Sequence, residues 1–553
     1  MFRFNRGRLN QRKTKEFFQC LLDNERIMTL NILFKYLSFL PVLVFCLVFL
    51  RSKYSTLKRS LFSLGNDFDT TTSKRLLWVI IGAYTLIFGS MSCLRYLSLH
   101  STIADLGFYE NRIWQIAHNY RFEYLINGHF APILLTHAVI YKFIPSALTL
   151  LILQTVTIAF ASIPLYYLAI HHLKNNKLSL FVVVVFFLFT AVEYNNLFDF
   201  HPDHIFITLI FLCFYFLETN RKGWFLFVAI LSSFVKEPYL FGVAALGLYT
   251  AVRYKWYKTG IGVSLLSMAL FFIHAKIILP HYYGGTNPGI ESQSGSYSYL
   301  GNSFSGIIKT LIGNPSIVIK ELINVKKILF IYVLFVPLLL IPVLSPATLV
   351  LTLPSFAIQL LSTCPLHYTI NNQYTASVIP FLFVSFVYGL KTLNSKRREV
   401  AIICVLIVSF YFNIMIGASP ISYSFWDYKK PINPYSFKNY TISKRDMLLN
   451  STIHSIQEMA SVCAQNSVYT SYLAKRDIFY LFPYEYERTD YIILDETRLK
   501  YVGDHVDDNE RYHILLQGIP KTHAIVYQKD GIYLFKKKVL FPIISDKSDP
   551  EFK

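Results

Sequence analysis

Charge is what this sequence has least of. Asp, Glu, Lys and Arg make up 16% of its 553 residues and hydrophobic residues 54%, with a mean hydropathy of +0.40. So little charge excludes an ordinary soluble protein and marks a polytopic α-helical membrane protein. Acidic residues are the scarcer kind, 33 against 53 Lys and Arg, for a formal net charge of +20. That excess does not make nucleic acid an expected partner. The basic residues collect in short segments between apolar runs, as they do in cytoplasmic loops. The seven Cys stand singly at 20, 46, 93, 213, 364, 404 and 463 with no CxxC, which gives no sign of a zinc motif or a disulfide framework. No small-residue cleavage site follows the first apolar run, so no cleavable signal peptide is expected.

What the sequence does have is a long series of apolar runs. Lys74 and Arg75 put the start of the run from Leu76 to about Tyr96 in the cytoplasm, which delivers residues 97–130 to the outside. Further runs lie at 147–170, 178–193, 205–219, 259–280, 328–344, 347–362, 376–390 and 399–417. Lys391, Lys396, Arg397 and Arg398 fix the last turn as cytoplasmic, so everything after Ala418 is expected outside. In 224–252, apolar arms of about a dozen residues flank Lys236-Glu237-Pro238. Each arm reaches only about 18–20 Å against an apolar core of about 30 Å. The segment therefore predicts a broken or re-entrant hairpin that carries Lys236 and Glu237 toward an external site.

The basic region 1–75 holds one uncertain run at about 31–50, with basic residues on both sides. It reads as re-entrant or interfacial, or as a span with the tail outside, or as a sign that translation starts at Met28. Phe108, Ile113, Trp114, Ile116 and Ala117 recur at helical spacing, which predicts a short amphipathic helix in the interface. The run 131–145 is read as dipping back into the outer leaflet. The loop 281–327 is rich in Gly, Ser, Tyr and Asn, a composition suited to mobility. In all, about 10–12 membrane segments are expected. Residues 76–417 form the membrane domain and 418–553 a soluble extracytoplasmic α/β domain. In the latter, 467–470, 491–495, 524–527 and 531–535 read as strands and Ile453–Cys463 as a helix. It contains no phosphate-binding glycine loop and no nucleophile elbow.

Four polar islands interrupt the apolar sequence: 105–111, 127–132, Asp199-Phe-His-Pro-Asp-His204 and Lys236-Glu237-Pro238. Ionisable groups beside a bilayer are costly unless they face protein or water, so the islands read as the walls of one external site. Asp105 suits a general base that deprotonates an acceptor hydroxyl, and Gly107 after it would let backbone approach a ligand. The alternative for Asp105 is a helix N-cap. Glu110 is the second candidate carboxylate, with a solvated helix face as its alternative. Asp199, His201, Asp203 and His204 could hold a divalent metal, magnesium or manganese by ligand type, though their spacing matches no standard motif. Otherwise His129, His201, His204 and Lys236 would hold a donor phosphate, with Glu237 orienting Lys236. Lys236-Glu237 could equally be an internal ion pair. His367 and Tyr368 open a further polar patch that would close the site from the far side.

The ordered series Asp105-Leu-Gly-Phe-Tyr-Glu-Asn-Arg-Ile-Trp114, Gly128-His129-Phe-Ala-Pro132, Gln154, Asp199-Phe-His-Pro-Asp203 and Lys236-Glu237 resembles an uncharacterised family of prokaryotic predicted membrane proteins. Downstream, His367-Tyr, Pro380-Phe, Ser461–Asn466, Ala474–Pro483 and Tyr491–Asp495 continue the likeness, which spans most of 75–500. That family is placed near the GT-C glycosyltransferases, multi-span enzymes that use polyprenyl-phosphate sugars. The resemblance implies a GT-C-like fold and a catalytic base in the first external loop, where Asp105 is the matching position. Some GT-C enzymes use a divalent metal and others do not, so no cofactor is implied. The expectation is an inverting glycosyltransferase at the outer face of the plasma membrane. Its partners would be membrane lipid, a polyprenyl-phosphate sugar donor and a glycan, lipid or protein acceptor. The competing class is a transporter or flippase of a lipid-linked or anionic solute, which would need its charges near the midplane and a second, symmetric broken helix; the sequence shows none.

Overall fold

The structure, a computed structural model, describes residues 67–126, 129–282, 296–301, 303–427, 433–501 and 518–538. The run at 31–50 lies outside the described residues, as do 283–295 and 302 of the loop expected at 281–327. The rest of that segment is not an open loop but largely helical, over 304–313 and 315–322.

The long helices start where the sequence supplies a cap. Asp69 accepts from the amides of Thr71 and Thr72 to open α1 (Thr70–Leu97), and Ser146 caps α4 (Ala147–Leu173). Between them lie two short helices, α2 (Phe108–Asn119) and α3 (Leu134–Phe143). Asn175 caps α5 (Asn176–Leu188), which is followed by α6 (Thr190–Leu197), α7 (His204–Glu218), α8 (Lys222–Ser232), α9 (Leu240–Tyr254) and α10 (Tyr257–Ile273). The chain continues through α11 (Phe304–Gly313), α12 (Pro315–Leu322), α13 (Val325–Phe335), α14 (Leu353–Leu360), α15 (Ile379–Thr392) and α16 (Ser395–Ile416).

Among the described residues four helices are long and apolar enough to cross a membrane: Thr70–Leu97, Ala147–Leu173, Tyr257–His281 and Ser395–Ile416. A fifth crossing results if α5 and α6, which meet at 53°, count as one. Of the remaining expected spans, 205–219 and 376–390 form the shorter apolar helices α7 and α15, while 328–344 and the hairpin 224–252 are interrupted. At 339–340 the break is two consecutive leucines in the left-handed region, φ 51° and 58°. At 233–239 it is the Lys236-Glu237-Pro238 turn foreseen from arm length.

Aromatic side chains fill the bundle. Phe186, Phe206, Phe211, Phe214, Phe381 and Phe383 are all fully buried, and α7 packs on α4 and α15. Helices α9 and α10 approach until Gly247 and Gly260 face each other's backbone. A Cβ on Gly260 would stand 2.4 Å from the Gly247 carbonyl oxygen, so only hydrogen fits there. The outward surface of α1 exposes Trp78, Val79, Leu86 and Ile87, as a lipid-facing helix does.

After α16 the composition changes and a small sheet forms, in the order β2-β1-β3-β5-β4. Strands β1 (Val462–Ala464), β2 (Phe479–Leu481) and β3 (Tyr491–Asp495) are parallel; β4 (His523–Lys529) and β5 (Ile532–Lys537) add an antiparallel hairpin. Asp530 and Gly531, both at positive φ, make its two-residue turn. Two expectations are corrected here. The helix is α17 (Lys444–His454), not 453–463, because Ser443 and Asp446 form a capping box that starts it early. Residues 467–470 are not a strand but a buried loop; the strand is the fully buried Val462-Cys463-Ala464.

Candidate functional site

The link from α1 to α2 passes through a single π-helical turn, Ile103–Gly107, a rare local geometry that recurs at functional sites. Its only carboxylate is Asp105. Thr102 shapes the approach: its amide donates to Asp199 Oδ2 at 2.7 Å and its hydroxyl to Asp105 Oδ2 at 2.9 Å. His201 Nε2 lies 3.3 Å from Asp105 Oδ1. The other ring nitrogen of His201 faces the Asp199 carbonyl oxygen at 2.9 Å, and its backbone N–H donates to Gln154 Oε1 at 3.0 Å. Oxygen atoms thus face both ring nitrogens of His201. Arg95 Nη1 closes the ring at 2.7 Å from Asp199 Oδ1.

Asp105 does not cap a helix, since its side chain accepts from a hydroxyl and an imidazole and Gly107 stands at the cap position of α2. Burial alone would raise its pKa. The hydrogen bond and charge of His201, with Thr102 and Arg95, outweigh burial and hold the carboxyl below its ordinary value. Its side chain is 28% exposed, whereas Asp199 and Asp203 are each 2% exposed. Asp105 is thus the member of the acidic set that an incoming molecule can reach.

Lys236 arrives from the break between α8 and α9 in extended backbone, followed by a 3-10 turn at Glu237–Tyr239. Its ammonium is 3.6 Å from Asp203 Oδ2, longer than a hydrogen bond, while Tyr239 donates to Asp203 Oδ1 at 2.7 Å. Tyr109 ties this pair to the Asp105 group. Its ring centroid lies 5.0 Å from that of His201, and its hydroxyl, pushed up to about 12 chiefly by burial, is pulled the other way by Lys236. Tyr374 is close enough to feel the charges of both groups. Its hydroxyl is raised first by burial, then by Asp203 and Asp105, against the opposing charge of Lys236.

The structure therefore brings Asp105, Asp199, His201, Asp203 and Lys236 into one polar cluster. His129 joins through Glu237 rather than directly: His129 Nδ1 and Glu237 Oε1 are 2.7 Å apart, and Phe130 N donates to Oε2 at 3.1 Å. Glu237 orients His129, not Lys236. His367 lies alongside, its ring centroid 4.8 Å from that of Tyr374 and its Nδ1 2.7 Å from Ser362 Oγ. Three candidates lie apart. Tyr368 is buried under Lys327, whose ammonium stands 5.0 Å over its ring. His204 is turned back on its own chain, Nδ1 2.5 Å from the His201 carbonyl oxygen, with Nε2 buried and unbonded. Glu110 is fully buried, accepting from Tyr141 at 2.6 Å and from Tyr469 and Ser471.

Glu110 is thus no solvated helix face; it docks α2 onto the C-terminal domain. The four residues weighed as a metal set point at separate partners, and among the described residues they form no group with converging ligand atoms. Gly107 leaves room for a side chain rather than a ligand: a Cβ there would meet the Tyr469 ring at 2.8 and 2.9 Å.

Sequence reading missed Arg95 and Thr102, and it held Tyr109, Tyr374 and Asn466 only within longer stretches, with no role of their own. A signal existed for Arg95, a lone basic residue at the end of a span expected to face outward, where the positive-inside pattern does not place one. None existed for Asn466, whose carbonyl accepts from Ile103 N and whose Oδ1 accepts from Ala104 N, both at 2.9 Å, so that the C-terminal domain holds the Asp105 turn from above.

Apolar helices of spanning length, polar groups gathered where several of them end and a small terminal sheet define a helical membrane protein. Within that class the chain belongs to the family described as predicted membrane protein, DUF2079, whose model matches residues 95–534. No curated protein matches the chain.

Proposed function

We propose that this protein is a GT-C-type glycosyltransferase that moves a sugar from a polyprenyl-phosphate donor to an acceptor at the outer face of the plasma membrane. The observation that carries the reading is the setting of Asp105: fixed by Thr102 and His201, held below its ordinary pKa by those neighbours against burial, and open on one side. A general base has to be deprotonated, oriented and reachable at once.

In the reaction the acceptor hydroxyl oxygen bonds to the anomeric carbon and passes its proton to Asp105. The bond from the anomeric carbon to the phosphate oxygen breaks, and the electron pair leaves on the lipid phosphate. The sugar configuration inverts. Lys236, paired with Asp203 only at 3.6 Å, keeps donors for that phosphate, and the hydroxyls of Tyr109 and Tyr374 stand beside it. His201 stays with Asp105 as the group that orients it. The lipid tail would enter between apolar helices, which needs no aqueous route.

A second reading, a transporter or flippase, draws on the bend of 53° between α5 and α6, a second broken helix beside the one at Lys236. One experiment separates them. Purified protein in liposomes made with a membrane-lipid and glycan extract as acceptor is given labelled polyprenyl-phosphate sugar, alongside an Asp105→Asn variant. Transfer predicts release of polyprenyl phosphate by the wild type and not by the variant. Transport predicts intact donor on the far side of the vesicle. No release, or equal release by both proteins, removes the transferase assignment.

A further inference from the structure

At the other end of the bundle lies a cluster that the proposed reaction does not use. His171 and His172 close α4, and Glu218 is the last residue of α7. His171 is 17 residues, about 25 Å of helix, beyond the Gln154 that touches the Asp105 cluster. His171 Nε2 lies 3.3 Å from Glu218 Oε2, and His172 Nε2 lies 3.5 Å from Glu218 Oε1. One ligand atom from each residue can be chosen so that all three lie within 4.8 Å of one another.

His172 is the informative member. Its side chain is 1% exposed, and neither ring nitrogen makes a hydrogen bond. The Glu218 oxygen at 3.5 Å is too far for a good N–H···O bond but suits a neighbouring ligand. In a tetrahedral site with bonds of about 2.0–2.1 Å, adjacent ligand atoms stand roughly 3.3–3.4 Å apart. The two imidazole–carboxylate gaps, 3.3 and 3.5 Å, lie close to that value, each histidine facing its own oxygen of Glu218. The imidazole–imidazole gap closes by rotation of His171, whose side chain is 40% exposed and free to turn.

The surroundings resemble the outer shell of a metal centre. Tyr254 donates to Glu218 Oε1 at 2.6 Å and Tyr388 donates to the same oxygen, which fixes the carboxylate. The Tyr388 ring lies 4.2 Å, centroid to centroid, from the His172 ring and pins it. We propose that His171, His172 and Glu218 bind a divalent transition-metal ion of the zinc class. Two imidazoles and a carboxylate favour that class over magnesium or calcium, which prefer all-oxygen sites. The exposed side of His171 leaves a fourth position for water. The ion would fasten α4 to α7 and, through the tyrosines, to α9 and α15, independently of any reaction at Asp105.

The test uses the full chain without an affinity tag, purified in detergent, stripped with a chelator and dialysed against zinc chloride. Bound metal is counted by elemental analysis and affinity by titration. The expected result is one zinc per chain, a higher unfolding temperature with zinc, and no such rise with magnesium. Loss of a ligand should weaken zinc binding more than about tenfold. His172→Ala and Glu218→Gln remove buried groups and could harm folding. His171→Ala is therefore the deciding variant, because a half-exposed side chain can go without disturbing the bundle. Sub-stoichiometric zinc in the wild type, or equal affinity in a folded His171→Ala protein, overturns the site.

Discussion

Two carboxylates five residues apart on one segment meet opposite fates. Glu110 is 0% exposed and takes three O–H donors, from Tyr141, Tyr469 and Ser471. Asp105 takes two partners, Thr102 and His201, and keeps 28% of its side chain open. A carboxylate offers about four lone-pair sites. At Glu110 donors from two domains surround both oxygens, so the group serves as a seam. At Asp105 capacity and access are left over, and that surplus is what chemistry requires. The pKa shifts run in opposite directions for the same reason: burial dominates at Glu110 and raises it, while charged and hydroxyl partners dominate at Asp105 and lower it.

The comparison breaks first at Asp105→Asn. Loss of a general base costs about 10²- to 10⁴-fold in rate, so sugar release from a polyprenyl-phosphate donor should fall by that factor while the unfolding temperature in detergent barely moves. Asn still accepts from Thr102. Glu110→Ala should do the reverse, leaving three hydroxyls without their acceptor and costing on the order of 3 kcal/mol in stability, read as a lower unfolding temperature.

The pH dependences should also oppose each other. Glu110, raised in the fold, contributes stability that is full below its ordinary value near 4.5 and is lost as pH rises through the raised value. Asp105, lowered in the fold, contributes stability that is present above 3.8 and is lost as pH falls through the lowered value. Glu110→Gln cannot ionise. Relative to the wild type it should therefore gain unfolding temperature as pH rises from 4.5 to the raised value and then level off, and a constant gap across pH would contradict the sealed state of this residue.

Sequence reading reached one side of this contrast and not the other. Asp105, the Asp199–His204 island and Lys236 stand out because charge beside apolar runs needs a reason, and the arm lengths around Lys236 foretell the break. The α5–α6 bend had no such mark: Phe189, where the two helices meet, lies in an unbroken apolar run without glycine, proline or charge. Tyr109 and Tyr374 are hidden among 39 tyrosines, and periodicity cannot single them out. The donors to Glu110 at 469 and 471 are some 360 residues away, and the seam they form depends on how a separate domain docks. Local rules describe each element well and say nothing of which distant loop will complete it. That is also why 467–470, with its β-branched and aromatic residues, reads as a strand and serves as a docking loop.

Smaller effects sharpen the picture by acting on the turn between the two acids. Gly107→Ala would drive a methyl to within 2.9 Å of the buried Tyr469 ring, costing about 1–3 kcal/mol unless the domain shifts. Asn466 offers the finest probe. Its carbonyl bond to Ile103 survives any substitution, so Asn466→Ala loses only the bond from Ala104 N, worth about 0.5–1.5 kcal/mol at an exposed position. If the C-terminal domain merely sits on the turn, that loss will lower the unfolding temperature slightly and leave kinetics alone. If it aims Asp105, kcat will fall with KM unchanged, because the misplaced base matters only in the transition state. Asn466→Asp, which keeps an acceptor facing Ala104, should then restore the rate.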